Sequence, residues 1–374
     1  MKIFTALPNS SDTGWGLAGT QITAKLKHFA DISDLSCKPE TMSDCTVHLD
    51  SPLVQAIGND LLPMHKNLSS SKHIGYCFHE YSILMCQSID NLAKHFHAVL
   101  CGSKWACLQI MEALGNRKNI INDIAIQGVD TDLFYPSEKN FPDPDYFTVF
   151  SGGKFEYRKG QDVVIRALAH LSSSRKNVRL VGSWWNPWPH AALSMLASPY
   201  ITFQTPKEWS WESLDREIQT SVYQASSSMK FCSLPRIPHE DLAAAMRLCN
   251  IALFPNRCEA GTNLVMMEAM SCALPVIAAT AHGHADVTEQ LPDWMQIPSS
   301  VKVFCYQNGS SVIPVAEWFD PDIDATVAAL EVAYEDWKSG SGKLKDAGKK
   351  NRQAMKKFTW EKCAESFFRV AESM

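Results

Sequence analysis

Short apolar runs and longer amphipathic stretches alternate along the 374 residues. Lys2–Leu7 (KIFTAL), His73–Phe78 (HIGYCF), Ala98–Cys101 (AVLC), Phe147–Phe150 (FTVF), Val178–Val181, Ile251–Pro255 (IALFP) and Val276–Ala278 are largely apolar and of strand length. Continuous runs of this kind read as strands buried on both faces of a parallel sheet. Between them, Gln21–Phe29, Ser103–Leu114, Gln161–Leu171, Pro238–Cys249 and Leu264–Cys272 read as helices. Val164, Leu168 and Leu171 mark one apolar face, and Leu264, Met267 and Met270 another. Thr46–Leu49, Tyr200–Phe203 and Met229–Cys232 read as further strands, and Pro52–Ile57 as a helix start. Asp322–Ser339 and Phe358–Glu372 are two more amphipathic helices. This strand–helix rhythm predicts an α/β protein with doubly wound sheets. The Pro/Asp-rich stretch Ser137–Asp145 interrupts it. The expected organisation is a first domain over 1–140, a second over 146–355 and a terminal helix over 358–374.

Composition narrows the partners. A net charge of −5 argues against nucleic acid, which needs a basic surface. Residues 1–150 hold 11 Lys+Arg against 16 Asp+Glu, and 151–374 hold 24 of each. Lys25 and Lys27 on the first helix are too few to decide membrane attachment, so a weak peripheral contact at the inner face of a membrane stays open. The twelve cysteines form no C-x-x-C pair and no zinc spacing, and read as reduced core residues. Met1–Pro8 is too short an apolar run for a signal peptide, and no stretch approaches the ~18–20 apolar residues of a spanning helix. The expectation is a cytoplasmic protein.

The chemistry concentrates in Asn256–Pro275, NRCEAGTNLVMMEAMSCALP. A buried strand runs into Gly261, Thr262 and Asn263, which suit a turn and a helix N-cap. A helix N-terminus offers unpaired N–H groups and a positive dipole end to an anion. Glu268, one turn inside that helix, is placed to accept bonds from vicinal hydroxyls. A pyrophosphate flanked by two sugars needs both features; a plain βα unit with capping residues needs neither. Upstream, Lys154 and Lys159 bracket a loop between strand and helix, with Arg158 a rival for either role. Such cations neutralise a diphosphate, lysine acting as a point charge.

Other candidates have a bland reading beside the sharp one. His79-Glu80 follows a strand's C-terminal end, where open α/β sheets bind ligands, but is also an ordinary surface pair. Gly14, Gly16 and Gly19 match G-x-G-x-x-G within the small-residue stretch Pro8–Gly19, read here as a loop. No acidic residue ends an obvious second strand about 20 residues on, which favours a loop open to substrate over a dinucleotide site. Asp130 and Asp132 could hold a metal but read better as a turn. Trp184, Trp185 and Trp188 form either a ligand-contacting shelf or, preferably, a packed hydrophobic cover.

Taken together, IGYCFHEYSIL, IAIQGVDTDLFYP, VFSGGKFEYRKGQDVVIRAL, FPNRCEAGTNLVMMEAMSCALPVIA and FTWEKCAESF resemble the family-4 glycosyltransferases, in the family's order and over nearly the whole chain. The resemblance implies the GT-B architecture: two Rossmann-like domains, acceptor then nucleotide-sugar donor, facing a central cleft, with a terminal helix crossing back to the first. It implies retaining transfer of a hexose from a UDP- or GDP-sugar to a hydroxyl acceptor (a glycan, a lipid-linked acceptor or a small molecule), with no metal and no further cofactor. By position, Lys154 and Lys159 bind diphosphate, Glu268 the ribose, and Gly261, Thr262, Asn263 and Leu264 line phosphate and sugar. Arg236 and Ile237 lie near the base, Gly16 over the donor phosphates, and His79, Glu80 and Glu259 near the transferred sugar. Three departures stand out. Eight residues rather than seven separate Glu259 from Glu268, lysine at 154 replaces the family's usual arginine, and His-Gly-His-Ala-Asp (282–286) replaces a paired-glycine turn. The alternatives are an epimerase or hydrolase of the same fold, or a protein that binds a nucleotide-sugar or glycan without turning it over.

Overall fold

The computed structural model describes residues 1–10, 13–36, 46–115, 120–136, 142–308 and 311–374. Two six-stranded sheets, parallel throughout, carry the two halves of the chain. The first has the spatial order Asp31–Asp34, Lys2–Ala6, Leu53–Ala56, His73–Cys77, Ala98–Cys101, Ile121–Ile124. The second runs Lys230–Ser233, Val178–Ser183, Phe147–Gly152, Ile251–Phe254, Val276–Ala279, Gln296–Ile297. The central strands are buried at every position, as their unbroken apolar runs require.

In each sheet the chain reverses direction once: between Lys2–Ala6 and Leu53–Ala56, and between Phe147–Gly152 and Ile251–Phe254. At such a reversal, loops leave neighbouring strand ends in opposite directions and open a crevice. Both crevices contribute to one cleft, because side chains from each line the same cavity. The last helix, Trp360–Ser373, packs on the first, Gly14–Leu26. Phe368 stacks on Phe29 at 5.6 Å, and Glu361 meets His28 Nδ1 at 2.8 Å.

Several local expectations fail for tertiary reasons. Pro52–Ile57 does not start a helix: Leu53–Ala56 is a central strand, with Gln55 buried and bonded to His73 Nε2 at 2.6 Å. Tyr200–Phe203 is not a strand; it follows the 3-10 turn Pro189–Ala197 as irregular chain. Gly14–Gly19 is helix rather than loop, because Thr13 Oγ1 accepts the Gly16 N–H at 3.0 Å and starts the helix at Gly14. The helices Trp211–Ala225 and Lys343–Met355 and the antiparallel hairpin Ser299–Asn308/Ser311–Pro321 were not read from the pattern. Residues 137–141 of the expected interdomain linker lie outside the described residues.

Candidate functional site

The second sheet's reversal sends out two loops, 153–160 and 255–263, and they lock together. Gly160 has φ +73°, and a Cβ there would fall 2.1 Å from the Pro255 carbonyl oxygen, so this close crossing requires glycine. The Arg158 carbonyl accepts the Arg257 N–H at 2.8 Å. Arg257 itself is buried. Its fork grips Asp162 at 2.7 and 3.0 Å, its Nε meets Asp320 at 2.8 Å, and its guanidinium lies 3.7 Å from the Tyr157 ring centre. This bidentate pairing satisfies a buried charge that would otherwise be very costly. Nothing in the sequence singles out Arg257; its partners are 95 and 63 residues away.

On this frame sits a buried charge cluster. Arg158 Nη1 lies 2.8 Å from Glu80 Oε1 and 3.3 Å from Glu259 Oε2, and Nη2 lies 3.0 Å from Glu156 Oε2. Lys159 Nζ meets Glu259 Oε1 at 2.5 Å, and Lys154 Nζ meets Glu156 Oε1 at 2.9 Å. Three cations and three carboxylates therefore balance. Burial opposes the charge on Glu259, but Lys159 and Arg158 outweigh it and hold its pKa well below the ordinary value. Burial pushes the Glu80 pKa up, with Arg158 pulling the other way, and lowers that of Lys159 against the pull of Glu259. Arg158 thus spends its donors on carboxylates and on the Cys258 carbonyl. Lys154 is the most accessible of the three cations, its side chain 32% exposed.

The helix N-terminus lies alongside. Asn263 caps Leu264–Ser271 from a left-handed conformation, φ 63°, and its Oδ1 accepts the Met266 N–H at 3.4 Å. Its Nδ2 donates to His284 Nε2 at 3.2 Å, while His284 Nδ1–H donates to the Ala279 carbonyl at 2.9 Å. That tautomer is neutral, and burial takes the His284 pKa down to about 4. The His-Gly-His turn thus acquires a role: it braces the turn over 259–263 from below. Gly283 N–H donates to the Glu259 carbonyl at 2.9 Å, and a Cβ at Gly283 would fall 1.8 Å from the Gly261 oxygen. Glu268, one turn in, is buried, and among the described residues no side chain pairs with its carboxyl. Burial alone takes its pKa up to about 8.

A cavity of ≈ 1200 Å³ between the two domains collects most of the expected residues: Glu80, Lys154, Lys159, Arg236, Ile237, Glu259, Gly261, Asn263, Leu264 and Glu268. His79, Gly16 and Thr262 do not line it. His79 holds its own loop instead, donating from Nε2 to the Asn59 carbonyl at 3.1 Å and accepting the Tyr81 N–H at Nδ1. Gly16 packs against the backbone of Ser10, and Gly14 is the glycine that faces the cleft. Thr262 Oγ1 turns inward to Met267 Sδ at 3.0 Å. Asp130 is a turn residue whose Oδ1 accepts the N–H groups of Asp132 and Leu133. The tryptophans divide: Trp184 is packed with its Nε1–H on Ser151, whereas Trp185 and Trp188 line the cavity. Arg236 lies over Trp185 and Lys154 over Trp188.

Residues 136–291 match the model of the glycosyl transferases group 1 family. An uncharacterised glycosyltransferase of Methanocaldococcus jannaschii is 24% identical over 276 residues, 74% of this chain and 59% of that protein. The chain therefore spans about three fifths of that relative's length. Among solved structures, sucrose-phosphate synthase from Thermosynechococcus elongatus superposes with a TM-score of 0.63 at 16% identity, covering 100% of this chain and 98% of that one. The Anabaena protein HepE, solved with UDP and glucose, gives a TM-score of 0.57 at 14% identity, with 100% of both chains covered. The fold is GT-B.

Proposed function

We propose that the protein is a retaining glycosyltransferase that moves a hexose from a nucleoside-diphosphate sugar to a hydroxyl acceptor. One observation carries this reading. A single cavity joins Lys154, Lys159 and a helix N-terminus to Glu268, a buried carboxyl with no side-chain partner among the described residues. Cations beside helix N–H groups suit a diphosphate, and an unpartnered carboxyl one helical turn away suits a ribose diol. The group 1 match over residues 136–291 covers this region, and HepE, with the same fold, was solved with UDP, which makes UDP the first nucleotide to test.

The chemistry follows from the charges. The cluster's charges balance among themselves, so an incoming diphosphate must be met by Lys154 and the helix N–H groups, and must compete with Glu259 for Lys159. As the sugar–oxygen bond breaks, charge grows on the leaving diphosphate, and these fixed donors strengthen against it. One well-aimed donor in a water-poor site contributes ~2–4 kcal/mol. Glu259, with Oε1 on Lys159 and Asn256 and Oε2 on Arg158, holds the lysine in place rather than attacking the sugar. Glu80, paired to Arg158, lines the cavity from the first domain, and in this reading it faces the transferred sugar. In this reading the acceptor hydroxyl enters on the diphosphate's face and gives up its proton there. Base recognition falls to Arg236, Ile237 and the neighbouring Trp185.

The test is calorimetric titration with UDP and GDP, followed by transfer from the matching nucleotide-sugars. Lys159→Ala is expected to keep the fold, weaken nucleotide binding and abolish transfer. Near-normal turnover by that variant would remove the diphosphate assignment. Release of free sugar with no acceptor dependence would instead identify a hydrolase.

A further inference from the structure

The hairpin Ser299–Asn308/Ser311–Pro321 belongs to the second domain but reaches the first. Its Trp318 indole N–H donates to the Glu80 carbonyl at 2.7 Å, and its Glu317 N–H donates to Ser82 Oγ at 3.0 Å. At its base, Asp320 takes the Arg257 Nε–H at 2.8 Å and the Phe319 N–H meets the Arg257 carbonyl at 2.9 Å. The hairpin is thus moored both to the 255–263 loop that carries Glu259 and to the strand end that carries Glu80.

Its inner face is aromatic. Phe304 stacks on Trp318 with ring centres 4.2 Å apart and planes 11° from parallel. Trp318 continues to Tyr81 of the first domain at 5.9 Å, and Phe304 continues to Tyr157 at 5.7 Å. Tyr81, Phe304 and Trp318 all line the cavity; Tyr81 and Phe304 are half-buried and Trp318 is buried between them. An aromatic strip that spans two domains and keeps its half-buried ends on a cavity is placed to contact a ligand. It stands beside Glu80, which pairs with Arg158 of the cation cluster.

We propose that this strip is the acceptor wall, that it takes a pyranose ring carrying the accepting hydroxyl, and that Trp318 is a positioning residue fixing Glu80 through its indole N–H. The proposal rests on the glycosyltransferase reading and narrows its acceptor to a carbohydrate. A pyranose offers an apolar C–H face to an aromatic ring and hydroxyls to the polar groups beside it. Few other hydroxyl acceptors present both faces at once. Because Phe304 and Trp318 come from the donor domain, the wall is complete only when the two domains are closed against each other.

The experiment uses the full chain, UDP and GDP, the nucleotide-sugar matching the nucleotide that binds, and a set of methyl glycosides and disaccharides as acceptors. Phe304→Ala is expected to leave UDP affinity and melting temperature nearly unchanged and to raise the acceptor KM about tenfold or more, as loss of an apolar contact does. Trp318→Phe keeps a ring but loses the N–H; it is expected to keep both KM values and lower kcat. A purely structural tryptophan would instead change the melting temperature and both KM values together. If UDP binds but no glycoside is bound or glycosylated, or if Phe304→Ala leaves the acceptor KM unchanged, the acceptor wall is wrong while the donor site stands. If neither UDP nor GDP binds, the glycosyltransferase reading itself fails.

Discussion

The Arg158 guanidinium of the second domain sits 2.8 Å from the Glu80 carboxylate of the first, and the same nitrogen reaches Glu259 at 3.3 Å. One side chain therefore ties the domains together at the point where their crevices meet, and pins the carboxylate that in turn holds Lys159.

Removing that charge leaves three buried carboxylates short of a partner. Arg158→Ala is expected to cost on the order of 3–5 kcal/mol, the usual result of breaking a buried pair from one side. The carboxylates gain protons more easily without the arginine, so the loss should be larger at pH 8 than at pH 5.5. Melting curves at the two pH values check this; an equal loss at both would show that the cluster is solvated.

Lys154 has a different place. It is partly exposed, pairs with Glu156 at 2.9 Å and lies 4.9 Å from the Trp188 ring centre. Lys154→Ala should barely change the melting temperature and should weaken diphosphate binding, most visibly at low salt. Lys154→Arg restores a forked donor and should bind at least as well as the parent. Titrations in low and high salt distinguish this role from that of Lys159, which is buried and whose contribution should be less salt-sensitive.

Glu268 separates stability from binding. Its folded pKa is raised to about 8 from an ordinary value of 4.5. Between those values the unfolded chain gives up the proton and the folded chain keeps it. The contribution is therefore fully present below about pH 4.5 and is lost as pH rises through the folded pKa, at up to ~1.4 kcal/mol per unit. Glu268→Gln carries no such cost, so it should raise the melting temperature more at pH 8 than at pH 5. The same variant should weaken UDP binding, because an amide NH₂ replaces one of the two carboxyl oxygens offered to the ribose diol. A variant destabilised equally at both pH values would show that the carboxyl has a partner in the folded state.

Gly283→Ala tests the brace beneath the turn. Its Cβ would fall 1.8 Å from the Gly261 oxygen and 2.7 Å from the Glu259 oxygen, both backbone atoms that cannot rotate away. The turn must shift, and overpacking of this kind costs ~1–3 kcal/mol. Nucleotide affinity should fall together with the melting temperature. Unchanged affinity would mean that the turn does not contact the nucleotide.

The chain's own pattern determined the architecture to a large extent. Unbroken apolar runs of strand length such as AVLC and IALF, alternating with helices, pointed to strands covered on both faces and paired in parallel, which is what the two sheets show. Local chemistry also located the capped helix N-terminus, because an N-cap asparagine and the helix behind it are neighbours in sequence. The failures were non-local. Leu53–Ala56 became a strand because two flanking strands needed it. His79 and Gly16 carried the right residue types, but the His79 ring nitrogens are taken up by Asn59 and Tyr81, and Gly16 gives its N–H to Thr13 and packs against Ser10. Arg257 and Trp318 had no sequence signature, since their meaning lies in partners 63 to 238 residues away.

The stretch from Asn256 to Pro275 shows the division most clearly. Sequence determined that a strand, a turn and a helix N-terminus stand there, with Glu268 one turn in, because those preferences act over a few residues. Only the tertiary structure decided that Glu259 clamps Lys159, that Arg158 serves carboxylates, and that Glu268 has no side-chain partner among the described residues. Each of those outcomes depends on which charges share one desolvated space, and burial brings them together from across both domains.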